Sequence, residues 1–352
     1  MRVGLLTSGG DCQALNPTMR GVVLTLKNLA KKVEIIGFAN GYKGLIYNHY
    51  SIVSPSAFVN ILNQGGTILG TSREPFKRIT EPDENGVDKV KAMVENYKKL
   101  DLDCLVVLGG NGSIKTANLL FEKGLNVIAL PKTIDNDIYG TDITFGFDSA
   151  ISVGTNVIDN IRTTAQSHKR TFIVELMGHK VGWLGLYSAI AGGADIVLIP
   201  EKPFSIKKIA DVINNNKIGY TIIVASEGAM TKEMTKMPKK DRKKLLSKNN
   251  NSIATYIASE LEKLGIVEVR TTIAGHTQRG GEPTPYDRIL STRLGAKGAE
   301  LIISKNYGNL VVFKDNEISY IPLSETAGKL KAIDDNSPII KECENLGISF
   351  CD

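Results

Sequence analysis

The feature that most constrains the fold is a regular alternation of short apolar runs with longer helical patterns. Four runs early in the chain are almost continuously apolar: RVGLLT (2–7), VEIIGFA (33–39), CLVVL (104–108) and NVIAL (126–130). Runs of this kind are typical of strands that are buried on both faces of a parallel sheet. Helical patterns lie between them, for example at 16–32 and 87–100.

A second series of the same kind follows. Its expected strands are TFIVEL (171–176), DIVLI (195–199), YTIIVA (220–225) and VEVRTTI (267–273), and its expected helices lie near 148–166, 182–191, 205–215 and 251–264. Strand–helix alternation predicts parallel sheets that carry helices on both faces. The two series therefore predict an α/β protein with two Rossmann-like domains and an active site in the cleft between them.

Composition narrows the class of protein. A chain of 352 residues with 42% hydrophobic content can bury a large core. We expect no membrane span, because no apolar run approaches the required length of about 18 residues, and no signal peptide, because MRVGLLTSGGD turns glycine-rich too early. Four cysteines without CxxC spacing (Cys12, Cys104, Cys343 and Cys351) favour a reducing cytoplasm and no zinc site.

The net charge of +6 has a local origin. Segment 231–250 holds eight Lys/Arg and two Asp/Glu, which leaves 35 basic and 35 acidic residues in the rest of the chain. The segment contains no aromatic residue that could stack on a base. We therefore interpret it as one solvated basic helix or loop, and we expect no nucleic-acid partner.

Residues that could handle a phosphate follow the expected strands. In parallel sheets, ligands bind beyond the carboxyl ends of the strands. Glycine-rich stretches follow two of them, TSGGDCQALN (7–16) and GGNGSIKTA (109–117), and PKTIDNDI (131–138) follows a third. Glycines let backbone N–H groups approach a phosphate, and a helix N-terminus adds favourable charge. Neither stretch matches a Walker loop or a dinucleotide fingerprint, yet together with NQGGTILGTSREPF (63–76) they favour a polyphosphate site.

The carboxylates of PKTIDNDI have two possible roles. Asp and Asn favour turns because their side chains bond the local backbone. Alternatively, Lys132, Asp135 and Asp137 handle a proton and a highly charged substrate. The second half favours this alternative, since it places Arg170, Glu227 and Arg270 near strand ends.

Arginine forks suit phosphate oxygens, while Glu and His suit sugar hydroxyls. Further groups of these types lie in MGHKVGW (177–183) and GHTQRGG (275–281). The residues therefore predict phosphoryl transfer from a nucleotide or polyphosphate to a phosphorylated sugar, with Asp135 as the base.

A series of motifs resembles the 6-phosphofructokinase family. They occur in order from residue 3 to about residue 305: LLTSGGD, GGTILGTSR, GGNGS, PKTIDNDI, AGGADIVLIPE, SEG and GHTQRGGEPTPYDR. Gly112 combined with Lys132, together with MGHKVGW, is similar to the bacterial mixed-substrate subgroup, also called group III.

The resemblance implies transfer of the γ-phosphoryl of ATP to the 1-hydroxyl of fructose 6-phosphate, with Mg²⁺, as a cytoplasmic step of glycolysis. It implies a nucleotide-binding domain of 1–145 plus about 278–328, and a sugar-phosphate-binding domain of 146–277 plus about 329–352. It also implies a homo-oligomer, expected to be a tetramer, in which Arg170 and Arg270 act across a subunit interface.

The family pattern assigns roles to individual positions. Asp135 would be the general base, and Thr133 and Asp137 would hold the transferring phosphoryl group and the magnesium. The nucleotide phosphates would be surrounded by Gly10, Arg73, Glu74, Gly110, Asn111, Gly112 and Ser113. The sugar phosphate would be bound by Thr133, Ile134, Asp135, Arg170, Met177, Gly178, His179, Glu227, Arg270, His276, Thr277, Gln278 and Arg279.

The sequence departs from this pattern at three places. Asn111 stands where most members have an aspartate that binds magnesium, so the metal keeps an oxygen ligand but loses a charge. His179 and Lys180 stand where many members have an arginine after Met-Gly. Arg20 matches the first of two effector-site arginines, but Leu24 replaces the second, so we expect weak or absent allosteric control.

Three alternatives remain open from sequence. Pyrophosphate could replace ATP as the donor, sedoheptulose 7-phosphate could replace the acceptor, and Asn111 permits a catalytically silent regulatory subunit. The donor depends on Gly112, which leaves room for the α-phosphate of ATP, and on Lys132, which is typical of pyrophosphate users. We expect Gly112 to determine the donor. Without a carboxylate at position 112 there is room for the α-phosphate of ATP, and the additional cation of Lys132 does not exclude that phosphate.

Overall fold

The computed structural model describes residues 1–352. Its strands are β1 (Arg2–Ser8), β2 (Glu34–Phe38), β3 (Tyr50–Val53), β4 (Cys104–Gly109), β5 (Val127–Pro131), β6 (Thr171–Leu176), β7 (Ile196–Leu198), β8 (Thr221–Ser226), β9 (Val269–Ile273), β10 (Asn309–Lys314) and β11 (Glu317–Pro322). The chain divides into a first unit, Met1–Ser149 with Arg279–Lys331, and a second unit, Ala150–Gln278 with Ala332–Asp352.

Thirteen helices accompany these strands. They are α1 (Leu15–Leu29), α2 (Tyr42–Ile46), α3 (Lys89–Lys99), α4 (Asn111–Glu122), α5 (Phe147–His168), α6 (Trp183–Ala191), α7 (Ile206–Asn215), α8 (Lys232–Thr235), α9 (Lys239–Ser247), α10 (Ile253–Lys263), α11 (Pro285–Ile303), α12 (Leu323–Thr326) and α13 (Pro338–Asn345). None of them combines the length and the hydrophobicity that a bilayer span requires.

The first unit is built on a seven-stranded sheet in the order β11-β10-β5-β4-β1-β2-β3. Its pairs are parallel except at the two edges, where β3 and β11 run antiparallel to their neighbours. The central strands are fully buried, as continuous apolar runs require. The carboxyl ends of β1, β4 and β5 therefore lie side by side, and the loops that follow them share one edge of the sheet.

The second unit is built on a four-stranded parallel sheet in the order β7-β8-β6-β9. Strands β6 and β8 are buried along their whole length, but β9 is mostly exposed. Ile273 in β9 is 50% exposed and Val267 just before it is 77% exposed. An edge strand of a parallel sheet is normally covered, so β9 is an edge that the chain itself leaves open, with polar residues (Arg270 and Thr271) and one apolar residue (Ile273) exposed.

The predicted fold class is confirmed. All eight expected strands are present within two residues of their expected bounds, and both sheets are parallel in their centres. Sequence reasoning missed the antiparallel edges formed by β3 and by the β10–β11 hairpin. Segment 231–250, expected to be one solvated helix or loop, contains two helices: α8, which buries Met234, and α9, which has no buried residue. The four cysteines are all buried and free.

Candidate functional site

The loop after β5, residues 132–146, carries Asp135 and Asp137, and we call it the carboxylate loop. Its own polar groups hold its conformation. The Asp135 N–H donates to Thr133 Oγ1 (3.1 Å), and Thr144 Oγ1 donates to the Thr133 carbonyl (2.7 Å). Asn136 adopts φ 52° and accepts from the Thr144 N–H (3.0 Å). Asn136 thus supplies the turn chemistry of this loop, with Asp135 and Asp137 on either side of it.

The N-terminus of α4 meets this loop. The Asn111 side-chain amide donates to Asp137 Oδ2 (2.7 Å) and to the Asp137 carbonyl (3.1 Å). Ser113 donates to Ser8 Oγ at the end of β1 (2.9 Å). Three strand ends are therefore tied together around the first turn of a 12-residue helix, whose free N–H groups and dipole favour an anion.

Lys132 lies beneath this site. Its side chain is 4% exposed, and its ammonium donates to the Gly10 carbonyl in the turn after β1. Burial lowers the pKa of Lys132, and the nearby Arg279 lowers it further, against the opposing charges of Cys12, Asp11 and Asp135. The structure thus gives Lys132 a backbone partner within the protein.

Arg279 contacts the same glycine turn. Its Nη1 donates to the Asp11 carbonyl (2.8 Å), while its Nε is buried and has no hydrogen-bond partner. A Cβ at Gly10 would lie 2.7 Å from Arg279 Nη1, so any other residue at this position would require the guanidinium to shift. A buried donor without an acceptor marks a place where a ligand oxygen can bind.

Arg73 and Glu74 follow a segment that is hydrogen-bonded to Gly9, the residue after β1. Gly9 N–H donates to the Ser72 carbonyl (2.9 Å), and Thr71 Oγ1 donates to the Gly9 carbonyl (2.7 Å). Arg73 is exposed. Glu74 borders a polar cavity of about 580 Å³, whose other lining residues include Lys43, Tyr47, Arg78 and Lys89.

Asn111 and Asp137 also have the chemistry that a magnesium site needs. Mg²⁺ prefers oxygen ligands, and it usually keeps several waters and binds only one or two protein carboxylates along with substrate phosphates. The amide nitrogen of Asn111 is bonded to Asp137, which leaves the amide oxygen as the ligand atom of Asn111. A carboxylate and an amide oxygen beside a phosphate-binding helix terminus fit this ion.

The second unit gathers a different set after β6 and β8. The Glu227 N–H donates to the Leu176 carbonyl (2.8 Å), and Gly228 N–H donates to the Gly178 carbonyl (3.1 Å). The side chain of Gln278 accepts from the Met177 N–H (2.7 Å). These bonds place Met177, Gly178, His179, Glu227 and Gln278 in one group, and the side chains of His179 and Glu227 are exposed.

His276 and Thr277 lie in the 3-10 helix Gly275–Arg279, which follows β9. Both are exposed, and Thr277 Oγ1 donates to the Ala274 carbonyl (2.6 Å). Ile134 and Thr133, expected at the sugar phosphate, are buried in the first unit beside Asp135.

Arg170 and Arg270 lie at the other end of the strands. Both pair with Glu268, Arg170 through Nε (2.5 Å) and Arg270 through Nη2 (3.1 Å). Arg170 precedes β6 and Met177 follows it, so the length of the strand separates them by roughly 20 Å. Within one chain, the two arginines are therefore not brought to the group formed by Met177–His179.

Lys331 is a neighbour of the carboxylate loop that sequence reasoning missed. Its N–H donates to the Asp137 carbonyl (3.0 Å), and its ammonium donates to the carbonyls of Thr141 (2.9 Å) and Asp142 (2.7 Å). Burial lowers the pKa of Lys331 to about 8, against the opposing charges of Asp142 and Asp137. No sequence signal links this lysine to a loop 190 residues away.

The fold is that of an α/β protein, and its strand-end groups have the chemistry to accept phosphate oxygens. A family model described as Phosphofructokinase matches residues 2–302, and the chain belongs to that family.

Its relatives share almost the whole length of the chain. A protein of Spirochaeta thermophila named ATP-dependent 6-phosphofructokinase is 48% identical, over 99% of this chain and 97% of that protein. A protein of Bacteroides thetaiotaomicron named ATP-dependent 6-phosphofructokinase 3 is 44% identical, over 99% and 100%.

Solved structures agree with the fold. The pyrophosphate-dependent phosphofructokinase of Nitrosospira multiformis has a TM-score of 0.82 over 98% of this chain and 90% of that chain, at 19% identity, which supports the fold alone. The phosphofructokinase of Pichia pastoris in the T-state has a TM-score of 0.78 at 28% identity. The match covers 93% of this chain and 35% of the yeast chain, so this chain spans about a third of the yeast chain's length.

Proposed function

We propose that this chain transfers the γ-phosphoryl of ATP to the 1-hydroxyl of fructose 6-phosphate, and that Asp135 is the general base. The product is fructose 1,6-bisphosphate, a step of glycolysis that we place in the cytoplasm. The observation that carries the proposal is the Asn111–Asp137 contact (2.7 Å), which joins the carboxylate loop to the N-terminus of α4. The names of the two bacterial relatives support the same reaction.

The donor phosphates bind at the shared edge of β1 and β4. The turn at Gly10 and the first turn of α4, Asn111 to Ser113, offer backbone N–H groups and a helix dipole to the phosphate oxygens. Arg73, which is exposed beside this turn, adds a guanidinium fork. These groups are fixed before the donor arrives, so little reorganisation is needed when negative charge moves during transfer.

Asn111 and Asp137 hold Mg²⁺ in this proposal. The ion neutralises charge on the β- and γ-phosphates when it is bound. The Asn111–Asp137 bond fixes the two side chains relative to one another. The amide also removes the repulsion that a second carboxylate would exert on Asp137.

The chemical step needs one proton transfer. Asp135 accepts the proton of the 1-hydroxyl, the hydroxyl oxygen forms a bond to the γ-phosphorus, and the bond from that phosphorus to the bridging oxygen of ADP breaks. Positioning and charge stabilisation supply most of the rate enhancement in such transfers. Thr133, whose hydroxyl accepts from the Asp135 N–H, holds the base in place.

Three features favour ATP over pyrophosphate as the donor. A Cβ at Gly112 would meet nothing within 4 Å, so the fold does not need the glycine and open space lies beside it. Lys132 is bonded to the Gly10 carbonyl, which leaves it less available to a second phosphate. The cavity of about 580 Å³ beside Glu74 has room for the adenosine part of ATP, which pyrophosphate lacks.

The acceptor is held by Met177, Gly178, His179, Glu227 and His276 to Arg279. Arg170 and Arg270 bind the 6-phosphate in a neighbouring subunit, so the active unit is a homo-oligomer, which we expect to be a tetramer. Two observations support a homo-oligomer. Arg170 and Arg270 lie at the opposite strand ends from Met177, and the outer edge of β9 is exposed.

Phosphorus NMR of a reaction mixture tests the proposal. Purified protein with ATP, Mg²⁺ and fructose 6-phosphate is expected to give ADP and a sugar bisphosphate with a new phosphate at carbon 1. ATP hydrolysis without a sugar bisphosphate, or no reaction, would contradict it.

A further inference from the structure

A buried carboxylate outside the proposed site bonds the start of a helix. Asp287 on α11 is 0% exposed. Its Oδ1 accepts from the Gly146 N–H (3.0 Å), and its Oδ2 accepts from the Ser149 N–H (2.9 Å) and from Ser149 Oγ (2.6 Å). Both oxygens of Asp287 therefore accept hydrogen bonds from N–H groups at the beginning of α5. These N–H groups have no partner within the helix.

The bonding is reciprocal between the two helix starts. Thr284, the N-cap of α11, donates through Oγ1 to Asp148 (2.5 Å) and through its N–H to Ser149 Oγ (3.0 Å). Thr284 Oγ1 also accepts from the Asp287 N–H (3.2 Å). We call Asp148, Ser149, Thr284 and Asp287 the helix-start network. Its two carboxylates lie where the positive ends of two helix dipoles favour negative charge.

This network lies where the carboxylate loop ends. The loop returns to β5 through the Phe145 N–H, which donates to the Pro131 carbonyl (3.2 Å), and Gly146 follows directly. Gly146 has φ 96°, and a Cβ there would lie 2.5 Å from Cys12 Sγ. Cys12 thus lies close to Gly146 and Asp287 accepts from its N–H, so both residues hold the end of the loop in place.

We propose that Asp287 is a positioning residue for phosphoryl transfer, because its carboxylate fixes the end of the loop that carries Asp135. The connection runs from Gly146 through Thr144, whose side chain bonds Thr133 and whose N–H bonds Asn136, the two residues that flank Ile134 and Asp135. This inference rests on the proposed function. It adds a residue that touches neither the substrate nor the reacting atoms.

The network requires a carboxylate and not only its shape. Since both oxygens accept from N–H groups, an amide in either orientation turns an NH₂ group toward an N–H donor. Asp287→Asn therefore keeps the volume but leaves a buried N–H without an acceptor, which is unfavourable. The fold has no way to relieve this without moving Gly146 or Ser149.

Protonation of Asp287 has the same effect as this substitution. Burial raises the pKa of Asp287 and the bonds from Ser149 and Gly146 lower it, while the charge of Asp148 also raises it; the result is a pKa of about 6. Cys12 faces the carboxylate from the turn after β1, and Tyr286 lies beside it on α11; burial raises the pKa of both, and the charge of Asp287 also raises it. A protonated carboxyl carries a hydrogen on one oxygen, and the amide carries an NH₂ group in place of one oxygen, so in both cases one of the two acceptor positions becomes a donor.

The test compares kcat of the full-length wild type and of Asp287→Asn across this pH range, at saturating ATP and fructose 6-phosphate. Above pH 7 we expect kcat of Asp287→Asn to be lower by about ten- to a hundredfold, the usual effect of misplacing a catalytic group from a distance. We expect KM for both substrates to stay within about threefold. Below the pKa of about 6, the ratio of the two kcat values is expected to fall towards one.

Asp148→Asn is the matched control. Asp148 accepts a hydrogen bond from Thr284 Oγ1, and an amide oxygen can accept the same bond. We expect its kcat above pH 7 to stay within about twofold of wild type. If Asp287→Asn does not fold, Ser149→Ala removes one donor to Asp287 and keeps the carboxylate; a reduced kcat with unchanged KM is then expected.

The outcomes separate this inference from the proposed function. A wild type without activity overturns both. An active wild type overturns the positioning role alone if folded Asp287→Asn has wild-type kcat, if the kcat ratio does not change with pH, or if Ser149→Ala, used in its place, has wild-type kcat.

Discussion

The strand-end groups of the two units differ in how completely one chain assembles them. In the first unit, Lys132, Asn111, Ser113 and Arg279 each bond another strand end or its loop. In the second unit, Met177 and Glu227 are joined in the same way, but Arg170 and Arg270 lie at the opposite strand ends and share Glu268. One chain therefore joins the strand-end groups of the first unit to one another, whereas Arg170 and Arg270, the phosphate-binding residues of our proposal, lie away from Met177 and Glu227.

The energetics of the two regions differ accordingly. The bonds of the first unit are buried or half-buried, so they are costly to break. The Arg170–Glu268 and Arg270–Glu268 pairs are largely exposed, and exposed pairs contribute only roughly 0.2–1 kcal/mol. In the proposed oligomer, a phosphate bound to a neighbouring subunit would therefore displace Glu268 from these arginines at little cost.

The largest expected effect comes from Asp135 in the first unit. Asp135→Ser should lower kcat by a factor of about 10² to 10⁴, the usual contribution of a positioned base, and should change the binding of fructose 6-phosphate much less. Steady-state kinetics would measure both. Asp142→Asn, in the same loop, is the control, because its amide oxygen can still accept from the Asp315 N–H. A kcat of Asp135→Ser within about threefold of wild type would leave Asp135 with a turn role only.

Gly112 is expected to come next, also in the first unit. Gly112→Asp should abolish ATP use, because like charges brought together cost several kcal/mol. The open space around this position means that the variant should fold normally. Gly112→Ala separates volume from charge and should keep most ATP turnover. Equal ATP turnover of Gly112→Asp and wild type would remove this residue from the donor site.

Arg170 tests the second unit. Arg170→Ala should weaken fructose 6-phosphate binding about ten- to 150-fold, corresponding to a charged hydrogen bond of roughly 1.5–3 kcal/mol. Refolding it together with Asp135→Ser should restore activity, since some sites then pair an intact Asp135 with an intact Arg170 from a neighbour. Each variant refolded alone is the control. Activity equal to the sum of the separate variants would place the whole site within one chain.

The smallest effect is expected for Lys132. Lys132→Met keeps the buried stem and removes the ammonium that bonds the Gly10 carbonyl. We expect KM for ATP to stay within about threefold, and the melting temperature to fall by a few degrees, since 1 kcal/mol corresponds to roughly 2–4 °C in large domains. Loss of ATP binding with an unchanged melting temperature would show that Lys132 contacts the donor.

The sequence predicted the groups that follow parallel strands. Apolar runs located β1, β4 and β5, and the rule that ligands bind at carboxyl ends selected the stretch 109–117, Lys132 and Asp135 as candidates; the family resemblance then singled out Asn111. The pairing of Asn111 with Asp137 could not be predicted, because it depends on the path of a loop that turns at Asn136.

Other features had weaker signals. The β10–β11 hairpin was missed although Asp315 and Asn316, both with positive φ, are typical of its turn. Thr284 and Asp287 have the spacing of a capping box, yet the Asp287 carboxylate bonds α5, which only the tertiary structure reveals. Nothing in the sequence singled out Glu268, because an exposed carboxylate is distinguished only by the two arginines that pair with it in the folded chain.

The most direct measurement compares two donors with one purified protein. Production of fructose 1,6-bisphosphate is coupled to NADH oxidation, with Mg²⁺ and fructose 6-phosphate held constant and either ATP or pyrophosphate supplied. Because Gly112 is open, Lys132 is bonded to Gly10 and a nucleoside-sized cavity adjoins Glu74, we predict sustained turnover with ATP and at most slow turnover with pyrophosphate. Rapid turnover with pyrophosphate and none with ATP would contradict this.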